Sequence, residues 1–193
     1  DYSSDGQVVT LQTATKGEGI DIILMGDAFS DRQIEDGTYD AAMRRTKEAF
    51  FSEEPYKSLQ DFFNVYYINV VSLTEGFHQN SKPALDSRWI YVEIDGDRFQ
   101  IIDRVRDALP QKSVDEHYTN DLIIVVLNED VYAGTCYIYE PFTSNGDCSD
   151  GLTISYCPLN SDMDTFKGIV LHEASGHGFA KLADEYAYED MGA

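Results

Sequence analysis

The chain has 193 residues, 42% hydrophobic and 12% aromatic, enough to bury a core of domain size instead of staying disordered. Its 35 acidic residues outweigh 14 basic ones, for a formal net charge of -21. That balance repels phosphate backbones and anionic headgroups, which excludes nucleic acid and membrane surfaces as natural partners. No apolar run reaches the roughly 18 residues a spanning helix needs, so membrane insertion is not expected.

In chain order, Val8 to Leu11 reads as a short leading strand. Ile20-Asp21-Ile22-Ile23-Leu24-Met25 reads as a buried strand that runs into a turn at Gly26-Asp27. A helix is expected from about Ser30 to Phe51, with Gly37 as a break and Pro55 closing the segment. In the turn before it, Asp27 or Ser30 serves as the cap. The series Gly26-Asp27-Ala28-Phe29-Ser30 lacks the first serine of an Asp-x-Ser-x-Ser cation loop. Asn64 to Ser72 is β-branched and aromatic and forms a second core strand, and Trp89 to Ile94 a third. Asp97 to Leu109 carries apolar residues at helical period, stopped by Pro110. Leu122 to Leu127 is a strand, and Tyr132 to Tyr156 gives short strands around a loop from Ser144 to Gly151. Asp164 or Ser161 then caps a helix that runs to His177 and ends at Gly178. Alternating strands and helices indicate an α/β fold with a mixed sheet.

Chemistry concentrates on that last helix. His172 and Glu173 are adjacent, His177 follows, and Asp184-Glu185 comes soon after. Two imidazoles and a carboxylate make an open zinc site, and a glutamate beside the first His can take a proton from water there. In H-E-x-x-H peptidases the two histidines stand four apart and share a helix face. Here they stand five apart, and at about 100° per residue an α-helix leaves the two rings about 140° apart. Either the histidines are unrelated, or a π-type turn, bonded from i to i+5, restores the shared face, with Gly176 relaxing the backbone.

The run Leu171-His-Glu-Ala-Ser-Gly-His-Gly-Phe-Ala-Lys-Leu-Ala-Asp-Glu-Tyr186 resembles the active-site signature of the bacterial IgA-peptidase family, the igalysins. Gly19 to Phe29 and Phe62 to Val71 are similar to other parts of that family. The resemblance implies a zincin or metzincin-like zinc endopeptidase: a twisted mixed sheet packed with helices, and an active-site helix near the C-terminal end. Residues 1–193 are then one metallopeptidase catalytic domain. It implies His172 and His177 as zinc ligands, Glu173 as the general base and acid acting on a metal-activated water, and Asp184 as the third ligand. Asp184 is also nearer to His177 than Glu185 is, and neighbouring side chains of an extended segment point to opposite sides, so one of the pair is expected at the metal. Such enzymes continue into a C-terminal subdomain with a methionine turn. Met191 stands too near for that role, so a further subdomain is expected beyond this piece.

The partner implied is a protein or peptide substrate, with IgA, mucin and other glycoproteins open; oligomeric state is not legible. The competing reading is a non-catalytic surface or secreted binding module that kept the fold. Tyr186 is read as a packing residue of the Asp-Glu-Tyr turn, and His78 and His117 as surface residues. Asp147, Asp150 and Asn145 read as solvated loop positions. Cys136 and Cys148 flank a Gly/Asp/Asn-rich loop and are expected to pair, leaving Cys157 free. With the acidity, this points to a secreted, cell-surface or periplasmic protein; the chain opens at Asp1, as a processed or trimmed piece would, so a missing leader does not argue for cytoplasm.

Overall fold

The strand Leu122–Leu127 has both faces buried along its whole length, and the fold is arranged to cover it. The structure, a computed structural model, describes residues 1–111, 122–139 and 151–184. Among them, β1 (Val8–Gln12), β2 (Ile20–Asp27), β3 (Phe63–Ile68), β6 (Leu122–Leu127), β7 (Thr135–Tyr139) and β8 (Leu152–Pro158) form one mixed sheet in the order β1-β3-β2-β6-β8-β7. The four inner strands run parallel, and β1 and β7 close the edges antiparallel. Parallel strands covered on both faces read as continuous apolar runs, which is why LIIVVL and IDIILM stand out in the sequence.

Side-chain alternation sends the two faces into separate cores. Ile22, Leu24, Leu122, Ile124 and Val126 meet α2 (Thr38–Phe50) and the C-terminal helix, α5 (Met163–Val170), on one face. Ile23, Met25, Ile123 and Val125 meet Ile101, Ile102 and Val105 of α4 (Arg98–Ala108) on the other.

Ser30 caps α1 (Asp31–Glu35) in a reciprocal box with Gln33, and Gly37, at φ 85°, separates α1 from α2. The expected Ser30-to-Phe51 helix is therefore two helices. A single turn, α3 (Tyr56–Leu59), follows Pro55. The second core strand is shorter than expected, because the chain leaves the sheet after Ile68 and Ser72 N–H bonds back to the Phe29 carbonyl at 2.7 Å.

Trp89 to Ile94 is not one strand but a hairpin, β4 (Arg88–Ile90) and β5 (Glu93–Asp95), turning at Tyr91 with φ 60°. The cap of α5 is Asp162, not Asp164 or Ser161: its carboxylate accepts from Thr165 N–H at 2.7 Å, three residues on, the reach a cap needs. Ser161 sits one place too early, and its N–H goes to Asp130 instead, at 2.9 Å.

Asp27 is no helix cap. It is fully buried, and its Oδ1 accepts from the N–H groups of Ala28, Ala84 and Leu85 and from the Ser72 hydroxyl. Oδ2 accepts from Ser87 N–H at 3.2 Å. One carboxylate thus pins the segment before the hairpin to the end of β2. Asp27→Ala leaves these donors without partners, and urea unfolding is expected to show a loss on the order of 3 kcal/mol. A loss below about 1 kcal/mol would mean that the segment re-satisfies its own donors.

Candidate metal centre

The backbone widens where the histidine spacing requires it. α5 gives way at Leu171 to a π-helix, Leu171–Phe179, that contains His172, Glu173, Gly176 and His177. Its bonds span five residues, as in Ala180 N–H to the Ser175 carbonyl at 3.0 Å. The widening is not a single turn but nine residues, and Gly178 lies inside it. Gly178 is there for space: a Cβ would stand 2.8 Å from both Leu122 Cδ1 and Ser155 Oγ.

In this geometry residues five apart stack, and His172 Nε2 lies 3.1 Å from His177 Nε2. Past the helix, Lys181 at φ 56° turns the chain, and Leu182 N–H bonds the Gly176 carbonyl at 3.1 Å. The turn delivers Asp184, whose Oδ1 stands 3.3 Å from His172 Nε2 and 3.2 Å from His177 Nε2. Glu185, the rival for that place, lies outside the described residues, as do Tyr186 and Met191.

The Leu182 carbonyl lies 2.6 Å from His177 Nδ1. A carbonyl only accepts, so Nδ1 carries a proton, and in the tautomer this selects, the Nε2 lone pair faces His172 and Asp184. An imidazole lone pair, a second imidazole nitrogen and a carboxylate oxygen meeting within 3.3 Å make an electron-rich focus that a cation satisfies. An ion bonded tetrahedrally at about 2.0–2.1 Å holds its ligand atoms about 3.3 Å apart. The three residues fit such a group.

Glu173 points elsewhere. It is buried, and that burial raises its carboxyl to about 7; His177 opposes the shift and Asp184 adds to it. Its side chain lies against Gly134, where a Cβ would stand 2.5 Å from Glu173 Cγ and 2.6 Å from Oε1. Both residues border a cleft of about 440 Å³ between Tyr132, Ala133 and Gly134 on one wall and Thr165, Gly168, Ile169 and His172 on the other. Gly134 was not legible as a functional residue, since a single glycine in a loop has no pattern. Gly168 leaves the floor open, with no atom within 4 Å of where a Cβ would be.

His78 is exposed, as expected; His117, Asn145, Asp147 and Asp150 lie outside the described residues. Of the expected Cys136–Cys148 pair, Cys148 lies outside the described residues. Cys136 carries a free thiol 3.3 Å from Ser155 Oγ, and Cys157 is a free, buried thiol. Burial pushes the Cys136 thiol up to about 11.

No curated protein matches the chain. The family model described as IgA Peptidase M64 matches residues 8–193, nearly the whole sequence. With a His/His/Asp cluster at metal-binding distances and a cleft beside it, the chain belongs to the IgA peptidase M64 family of metallopeptidases, hydrolases that act on the peptide bonds of proteins or peptides.

Proposed function

We propose that residues 1–193 form the metzincin-like catalytic domain of a zinc-dependent endopeptidase, with His172, His177 and Asp184 as the metal ligands and Glu173 as the proton carrier. The observation that carries this reading is the triangle of His172 Nε2, His177 Nε2 and Asp184 Oδ1, with sides of 3.1, 3.2 and 3.3 Å. Two imidazoles and one carboxylate are a borderline donor set that suits zinc, and three protein ligands leave a position open, as a catalytic site requires. Zinc, when bound, supplies Lewis acidity, polarising a peptide carbonyl and making water more acidic.

The chain's own groups do the rest. Glu173 adjoins the ligand His172 in sequence but turns into the cleft, so its carboxylate is free to move protons. It takes one from the attacking water and returns it to the amide nitrogen as the C–N bond breaks. His177 is fixed in one tautomer by the Leu182 carbonyl, which holds its Nε2 ready as a ligand. β7 is the edge strand that follows Gly134, and among the described residues no strand pairs with its outer edge. An extended peptide can run along that edge and place a carbonyl over the cleft. The family description names immunoglobulin A, which makes it the first substrate to test here. An extracellular protein as substrate, and a place outside the cytoplasm for the enzyme, belong to the same reading and rest on that description and on the acidic surface.

The direct test incubates the purified protein with an unfolded protein and, separately, with immunoglobulin A, each with chelator and after zinc is restored. Cleavage should stop with chelator and return with zinc; cleavage that persists through chelation would contradict the reading.

Three substitutions separate the roles. Glu173→Gln should keep its zinc while kcat falls about 10²–10⁴-fold, whereas Asp184→Ala should lose most of its zinc in equilibrium dialysis. Gly134→Ala should keep its zinc and melt within a few degrees of wild type, because the three atoms nearest the new methyl all belong to the Glu173 side chain. Its kcat/KM should nevertheless drop at least about 10-fold, since ångström-scale misplacement of a reacting group costs up to about 10². Unchanged kcat/KM would remove Glu173 from the proton path.

A further inference from the structure

The sheet meets the widened helix with hydroxyls where a core normally offers methyls. Along β8, Thr153, Ser155 and Cys157 face the helix, and Thr153 and Ser155 are fully buried. Thr153 Oγ1 donates to the Gly178 carbonyl at 3.0 Å, and Ser155 Oγ donates to the Glu173 carbonyl at 2.9 Å. From the opposite side, Tyr56 OH of α3 donates to the Ser175 carbonyl at 2.7 Å. The half-buried Lys181 Nζ gives the Gly178 carbonyl a second donor at 2.9 Å, and also bonds the Gly151 carbonyl at 3.2 Å. Three carbonyls of one short π segment thus take bonds from four side chains outside it.

A carbonyl has two lone pairs, so each can keep a backbone bond and accept another. In a regular α-helix the same three carbonyls would stand at different angles round the axis, away from donors fixed on β8 and α3. The carbonyls at 173, 175 and 178 bracket His177 and follow His172 directly. What holds them holds the five-residue register on which both rings depend.

We infer that Thr153, Ser155, Tyr56 and Lys181 are positioning residues for the metal centre: they lock the helix in its π register and so bring His172 and His177 to a common point. None of them touches the ligand atoms, and the inference rests on the reading of His172, His177 and Asp184 as metal ligands. Lys181 has a second part, because its turn at φ 56° delivers Asp184 and its ammonium ties that turn to the end of the helix.

The test uses Ser155→Ala, Thr153→Val and Tyr56→Phe, each of which removes a hydroxyl with little change of shape, and Lys181→Gly. Glycine suits a positive φ better than lysine does, so a purely conformational role for residue 181 would be preserved or improved. The readouts are zinc affinity by chelator competition, the visible absorption of the cobalt-substituted protein, and melting of the metal-free protein. Groups that orient metal ligands typically contribute 10–100-fold to affinity. Each variant should therefore bind zinc about 10-fold or more weakly, with altered cobalt bands, while the metal-free melting point stays near wild type. Thr153→Ser, which keeps the hydroxyl and adds no atom to the fully buried site, should retain both affinity and spectrum. Should a buried variant fail to fold, Lys181→Gly on the surface turn still decides. Wild-type affinity and cobalt spectra throughout would overturn the inference while leaving the metal site standing. A wild-type protein that binds neither zinc nor cobalt would instead overturn the metal reading beneath it.

Discussion

Two imidazoles five residues apart on one helix meet only if the backbone between them holds more residues per turn than an α-helix does. The rest of the site depends on that constraint. A π-helix is rare by itself and appears mostly as single turns inside α-helices. Here it persists over nine residues, Leu171–Phe179, pressed against β8 by Gly178 and bonded from outside at three carbonyls. Replacing Gly178 by any larger residue would push the helix off Leu122 and Ser155.

The sheet places the other half of the site. β6 and β8 are parallel neighbours, and the segments that follow their carboxyl ends supply the two walls of the cleft: Tyr132 to Gly134 after β6, and α5 after β8. Clefts outside the carboxyl ends of parallel strands are the usual ligand sites of open α/β sheets. The apolar run of β6 therefore matters to function as well as to stability, since its buried register decides where Gly134 meets Glu173. Burial of Glu173 raises its carboxyl to about 7.

Much of this was legible where chemistry and period agree. Leu122 to Leu127 is legible as a strand, Ser30 and Gly37 as a cap and a break, and the His-Glu-His series with the following Asp as a candidate metal centre. The wider helix was deducible from the spacing, but its length was not, because the donors that extend it come from β8, α3 and a turn. Thr153 and Ser155 carry a faint signal, two hydroxyls on one face of a buried strand, which cannot be interpreted until it is known what they face. Asp27 reads as a cap because it sits between a strand and a helix; three of its partners, Ala84, Leu85 and Ser87, lie more than fifty residues away. Trp89 to Ile94 was misread as one strand because Tyr91 is not a residue that ordinarily turns a hairpin.

The account stands or falls on which atoms hold the metal. X-ray absorption at the zinc edge of the purified, zinc-loaded protein measures this without reference to activity. The account predicts a first shell of nitrogen and oxygen alone at about 2.0–2.2 Å, with the outer-shell scattering of two imidazole rings, and its loss in His177→Ala. A sulfur shell at about 2.3 Å would place Cys136 or another thiol on the ion and contradict it.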